Sequence, residues 1–346
     1  MRRICTSLAE NGYAVTLVGY SLPSSIELNK EKYHQKRIHC WFTKGKKFYA
    51  EYNTRLFFYL FFKKMDAVCA IDLDTIFPCM QVSRLKRIKR IYDAHELFTE
   101  LKEVVTRPSV KRTWTRIEKR IVPKFILGYT VSESIAEEFQ RRYKVNYQII
   151  RNVPLLRSFD PAIKPGRFIL YQGAVNEARG FEYLIPAMKW VNARLVVCGD
   201  GNFMDQLKQL IKENEVENKV ELKGMKSLEE LWKISQSARV GITIIENEGL
   251  NQYYSLPNKF FDYIHAAVPQ VAMIYPEYQK INKEFEVAIL LDDPDPKRIA
   301  EAINNLLADD VLYMRLKENC LKARQQLNWQ YEEKKLLHFY RSVFHQ

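Results

Sequence analysis

Phe168-Ile169-Leu170-Tyr171-Gln172-Gly173-Ala174, followed by Glu177-Ala178-Arg179-Gly180-Phe181, opens the second half of the chain as an apolar run, a turn of small residues and a helix start. A buried strand that ends on glycine and passes into a helix is the building unit of a doubly wound α/β sheet. The unit recurs. Strands are expected at Phe168–Gln172, Ala193–Cys198, Lys219–Leu222, Val240–Ile245, Gln270–Met273 and Val287–Leu291, separated by amphipathic helices near Phe181–Met188, Phe203–Lys212, Leu228–Ser235, Pro257–His265 and Pro296–Leu307. The first half has the same rhythm, with strands at Ala14–Gly19, Arg37–Phe42, Ala67–Ile71, Arg90–Tyr92, Leu127–Val131 and Tyr147–Ile150. Between them fall helices near Tyr52–Lys64, Thr75–Leu85, Val110–Ile121 and Ser132–Tyr143, the last with a capping start at Ser132. Arg151-Asn152-Val153-Pro154 and Asp160–Gly166 break the pattern as a linker, and Trp329–Phe344 reads as a long terminal helix. Two doubly wound domains are therefore expected, over 1–154 and 155–328, with 329–346 as a final helix.

The 346 residues exceed one ordinary core, and 47% apolar content excludes a disordered chain. The longest apolar run, Leu56–Phe62, is far short of a membrane span, and no secretory leader is visible at Met1. Six scattered cysteines without zinc-like spacing read as buried thiols of a cytoplasmic protein. The net charge of +13 is uneven: Met1–Leu155 carries 29 Lys+Arg against 15 Asp+Glu, whereas the remainder carries 25 against 26. Such a split suggests different partners for the two domains. Basic runs at Lys44–Lys47, Arg84–Arg90 and Lys111–Arg120 are either solvated faces or attraction to an anionic surface. Phospholipid is the better match, since no helix-turn-helix, zinc-finger or RNA-binding pattern points to nucleic acid.

Candidate chemistry collects in loops that follow strands of the second domain. Gly173 and Ala174 let a ligand approach the backbone, and Arg179 can donate two hydrogen bonds to a phosphate, although an arginine at a helix start is commonly a surface residue. Cys198-Gly199-Asp200-Gly201 is a tight βα turn or a phosphate loop; Met204 stands where a dinucleotide fingerprint has its third glycine. Gly224-Met225-Lys226 could meet a nucleobase through its backbone. In Ser255-Leu256-Pro257-Asn258-Lys259-Phe260-Phe261-Asp262-Tyr263, Ser255 is the expected N-cap and the helix start offers free N–H groups beside the Lys259 cation. Asn258 and Asp262 share one face, where a carboxylate suits a diol better than a phosphate. In the first domain Asp72-Leu73-Asp74-Thr75 reads as a cap, not a metal-binding pair, and Asp292–Pro296 as a turn into a helix.

These segments, in this order and spacing, together with Asn11-Gly12-Tyr13-Ala14-Val15, Tyr92-Asp93-Ala94-His95-Glu96 and Val131-Ser132-Glu133, resemble glycosyltransferase family 4 over nearly the whole chain. The resemblance implies the GT-B fold, two Rossmann-like domains facing a cleft, and retaining transfer from a nucleotide sugar, as in enzymes that build bacterial surface polysaccharides. It implies that the basic first domain takes the acceptor, a saccharide or polyprenyl-linked saccharide, and that the second takes a UDP- or GDP-sugar. Arg179 and Lys259 would hold the diphosphate and Asp262 the ribose. Gly173, Gly199, Gly201, Met225 and Asn258 would line the donor site, and His95 would face the transferred sugar. The final helix would cross back to the first domain, and no metal is expected.

Three departures from the family accompany the likeness. Tyr254 stands where relatives carry an acid, with Glu246 and Glu248 nearby, and Ala267 stands where a glycine is usual. Met1–Glu10 reads as a helix where a doubly wound domain opens with a strand, so the first strand is expected to lie upstream of Met1. The alternatives are a nucleotide-sugar-binding protein with little or no catalysis, and another GT-B enzyme such as a nucleotide-sugar epimerase.

Overall fold

The computed structural model describes residues 1–23, 25 and 27–344, and the chain forms two compact units. Met1–Arg151 joins Trp329–Gln346 in one, and Asn152–Asn328 makes the other. The division falls three residues before the expected boundary at 154, because Val153 is fully buried in the core of the second unit.

In the C-terminal unit the strands are β7 (Phe168–Gln172), β8 (Arg194–Cys198), β9 (Val220–Gly224), β10 (Val240–Thr243), β11 (Gln270–Met273) and β12 (Ala288–Leu291). They form one parallel sheet in the order β12-β11-β10-β7-β8-β9. This is doubly wound topology, with the direction of winding reversing between β7 and β10, where such sheets leave a crevice for ligands. The connecting helices are α7 (Phe181–Ala187), α8 (Met204–Glu213), α9 (Leu228–Ser237), α10 (Leu250–Tyr253), α11 (Asn258–His265), α12 (Pro276–Phe285), α13 (Pro296–Ala308) and α14 (Asp310–Ala323). Capping follows local chemistry at several starts: Ser227 and Glu230 make a reciprocal capping box on α9, and Asp295 accepts from the Lys297 and Arg298 N–H groups of α13.

The N-terminal unit begins with α1 (Arg2–Glu10), and its strands form two parallel sheets. One holds β1 (Thr16–Ser21) and β2 (His34–His39). The other holds β3 (Ala67–Ile71), β4 (Lys89–Ala94), β5 (Leu127–Thr130) and β6 (Gln148–Ile149) in sequence order. Its helices are α2 (Gly45–Phe61), α3 (Ile76–Lys86), α4 (Lys102–Val105), α5 (Pro108–Ile121) and α6 (Glu133–Tyr143), completed by α15 (Trp329–Phe344). The Ser132 hydroxyl caps α6 by accepting from Ile135 N–H, as its sequence predicts. The expected cap at Asp72 is not made; its carboxylate instead accepts the backbone N–H of His95 at 2.9 Å, tying the loops after β3 and β4 together.

Helix α15 lies in the core of this unit: Trp329, Leu336, Phe339, Tyr340 and Val343 pack with Ile4, Leu8, Ile91, Tyr129 and Ile150. The Trp329 indole N–H donates to Ser7 Oγ at 2.9 Å, and the Tyr129 and Phe339 rings meet edge-on at 5.4 Å. Among the described residues no helix is long and apolar enough to cross a membrane. All six cysteines are free thiols, five of them buried and Cys69 half-buried. Leu336 is completely buried, so Leu336→Ala is expected to destabilise the N-terminal unit by about 2–5 kcal/mol, measured by urea unfolding.

Candidate active site

The loops after β7, β8 and β9 are stitched together by backbone hydrogen bonds. Gly173 N–H donates to Cys198 O, Val175 N–H to Asp200 O and Gly199 N–H to Gly224 O, at 2.9–3.0 Å. The glycines of the 199–201 turn are explained by this contact. A Cβ on Gly199 would stand 1.8 Å from Gly173 O, and one on Gly201 would stand 2.2 Å from Val175 O. No such crowding exists at Gly173 or Gly224, where the added atom would meet open space. Next to Gly224, Met225 is 74% exposed.

Helix α11 is fixed on the sheet by Tyr263. Its hydroxyl donates to Leu170 O at 2.8 Å and accepts from Gln172 N–H at 3.1 Å, and its ring lies where a side chain at Gly241 would stand. This seats the helix start beside the loop after β7. The N-cap is Pro257, with no side-chain cap; Ser255, expected in that role, donates its hydroxyl to Gln252 O. The short turn of α10, absent from the expected elements, draws Ser255 away.

Two cations of this unit face the same place. Lys259 Nζ is buried without a hydrogen-bond partner among the described residues and sits 3.9 Å from the centroid of the Tyr171 ring. Burial, reinforced by the neighbouring Arg179 charge, holds its pKa well below the ordinary lysine value. Arg179 itself is half-buried and makes no hydrogen bond or ion pair among the described residues. It lies in a constrained turn: Ala178 has φ +60°, and Gly180 at φ +75° abuts Ile244. The same turn meets the loop after β10, where Glu246 N–H donates to Ala178 O at 3.2 Å. Three residues further along α11, the Asp262 carboxylate accepts from Gln172 Nε2 at 3.1 Å, and Gln172 Oε1 accepts from Ser235 Oγ at 2.8 Å. Asn258 is exposed at the helix start. Arg179, Lys259, Asp262 and Gly173 are thus assembled around the β7 end of the sheet at its switch point. Tyr171 and Gln172 end the apolar run of β7, but burial of their side chains toward α11 has no signature in the sequence.

His95 belongs to the other unit, directly after β4. Its Nε2 is 3.2 Å from the buried Asp93 Oδ1, while Asp93 Oδ2 accepts from Tyr129 OH at 3.0 Å. Burial opposes a charged imidazole, but the Asp93 carboxylate outweighs it and raises the His95 pKa. Desolvation likewise pushes the Asp72 carboxyl up to about 8 and that of Asp74 to about 6. Asp93→Asn is expected to lower the His95 titration midpoint, followed by NMR of the imidazole protons.

Lys259 makes a second prediction. A lysine with a lowered folded pKa binds its proton more tightly when unfolded, so stability rises with pH from that lowered value toward the ordinary value of about 10.4. Lys259→Met should raise the ligand-free stability near neutrality and remove this rise, read by urea unfolding between about pH 7 and 10.

Residues 158–323 match the family model described as glycosyl transferases group 1. No curated protein sequence matches the chain. Among solved structures, sucrose-phosphate synthase from Thermosynechococcus elongatus superposes with a TM-score of 0.82 at 18% identity, covering 99% of this chain and 92% of that one. WaaG, a glycosyltransferase involved in lipopolysaccharide biosynthesis, gives 0.73 at 14% identity over 97% and 94% of the two chains. HepE of Anabaena, in complex with UDP and glucose, gives 0.70 at 13% identity over 90% and 87%. The chain therefore has the GT-B fold, and its C-terminal unit is similar to the glycosyl transferases group 1 family over residues 158–323.

Proposed function

We propose that this protein is a retaining hexosyltransferase that takes its sugar from a UDP- or GDP-sugar and passes it to a saccharide or polyprenyl-linked acceptor, without a metal cofactor, in the cytoplasm at the inner membrane face. The observation that carries the donor assignment is Lys259: a buried ammonium that has no hydrogen-bond partner among the described residues, at an uncapped helix start and next to a second cation, Arg179, that is likewise unpaired among them. Such a place suits a diphosphate, which supplies the missing charge and accepts the orphaned N–H groups. The bound UDP of the HepE structure supports UDP as the first candidate.

In this reading Arg179 and Lys259 hold the diphosphate, Asp262 takes ribose hydroxyls, and Gly173, Gly199, Gly201, Met225 and Asn258 lie along the donor. His95 contacts the transferred sugar. The bond from the sugar C1 to the diphosphate oxygen breaks, and a bond from C1 to the acceptor oxygen forms on the same face. The acceptor proton passes to the departing phosphate, so no side-chain base is assigned. The two cations and the helix start act by stabilising charge that grows on the leaving group, in a geometry already fixed before reaction.

Thermal unfolding with UDP, GDP and their sugars tests the donor site. At least one nucleoside diphosphate should raise the melting temperature, and Arg179→Ala should weaken that ligand by at least about tenfold with the ligand-free melt unchanged. A protein indifferent to every nucleotide would end the proposal, and an inverted anomer in the NMR spectrum of the product would remove retention.

A further inference from the structure

Helix α2 and the segment leading into it carry two apolar faces. Phe48, Tyr52, Leu56 and Leu60, spaced at helical intervals, are buried. The sequence leaves open whether the remaining aromatics belong to that face; the structure places them outside. Phe58 is 54% exposed, Phe61 40% and Phe62 78%, and at the other end of the helix Trp41 is 76% and Phe42 43% exposed. Helix α3 adds exposed Leu85 beside them, with Lys86 Nζ donating to Lys63 O at 2.6 Å and lying 5.9 Å from the Phe61 ring. A helix of a water-soluble domain ordinarily turns polar residues outward, so this outer face is built for a second apolar contact.

The charge around the face is one-sided. Between Trp41 and Lys64 there are six basic residues, Lys44, Lys46, Lys47, Arg55, Lys63 and Lys64, against one acid, Glu51. Glu51 is already engaged, accepting from the Trp41 and Phe42 N–H groups and pairing with Arg55 at 2.8 Å. Arg84 and Arg87 extend the positive rim from the end of α3.

We propose that the outer face of α2 is a docking surface for an anionic phospholipid bilayer. The aromatic side chains enter the headgroup region, and the lysines at both ends of the helix meet lipid phosphates. Lysine is depleted from protein–protein interfaces, so exposed phenylalanines ringed by lysines suit a lipid surface better than a protein partner. The inference gives the membrane part of the proposed function a location, and it is independent of the donor site.

The test is co-sedimentation of the full chain with vesicles of phosphatidylcholine alone and of an equal mixture with phosphatidylglycerol. Binding is expected only with the anionic lipid, weakening as salt is added. The triple variant Phe58→Ser, Phe61→Ser, Phe62→Ser should reduce partitioning by at least about tenfold. These side chains are exposed, and an unchanged melting curve for the variant checks that folding survives. Nucleotide-induced stabilisation should be the same in the variant, which separates this inference from the donor assignment. Binding that ignores anionic lipid, or persists in the variant, overturns the proposal. So does a dimer in solution that the triple variant converts to monomer, since the face would then be occupied by a second copy.

Discussion

The unpaired ammonium of Lys259 is the constraint around which the C-terminal unit is arranged. Removing a cation from water is costly unless it meets an opposite charge, and here it lies on the π face of Tyr171 with no hydrogen-bond partner among the described residues. The surrounding structure has to impose this. Tyr263 anchors α11 through two hydrogen bonds to β7, and it can approach that strand because position 241 lacks a side chain. The heavily packed core beneath, with Phe260, Phe261 and Ile264 all buried, fixes the helix angle and with it the lysine. An anion arriving at this place would find charge and orphaned N–H groups already aimed, which is the physical meaning of a preorganised site.

The N-terminal unit handles charge in the opposite way. Its excess of cations is spread over exposed helices, while acids collect inside: Asp93 is buried beside His95, Glu118 is buried against Thr99 and Tyr143, and Asp72 and Asp74 are half-buried after β3. The Asp72 carboxylate links the loops that follow β3 and β4, and the buried Asp93 carboxylate joins His95 to Tyr129 of β5, so the two organise the strand ends. The cations act outward, toward whatever lies beside the surface. A chain whose two halves differ by this much in net charge therefore uses electrostatics twice, once as a few placed groups and once as a field.

Much of the fold was legible in local patterns. The β3, β7 and β11 strands and the α15 helix fall at their expected bounds, because each is a short apolar run or a long amphipathic repeat closed by turn residues. Helix α2 begins at Gly45, earlier than the expected Tyr52, since the Lys44–Lys47 run offers no apolar repeat and only the burial of Phe48 extends the inner face to it. Helices α12 and α14 had no expected counterpart. Ser255 failed as a cap because a neighbouring turn competes for its hydroxyl, a contest that capping preferences alone do not settle.

Of the site, the sequence supplied the residue types and their order: Arg179, Lys259 and Asp262 after strands, and glycines at 173, 199 and 201. It also determined the alternation of strand and helix that makes both units doubly wound or nearly so. Tertiary structure decided which of those residues meet. Gly199 and Gly201 are small because a neighbouring loop's backbone presses on them, Lys259 is dry because α11 lies against β7, and the outer aromatics of α2 are wet because none of the described residues covers them. Periodicity is a local property of the chain, readable residue by residue, whereas burial depends on what packs against a side chain from distant sequence.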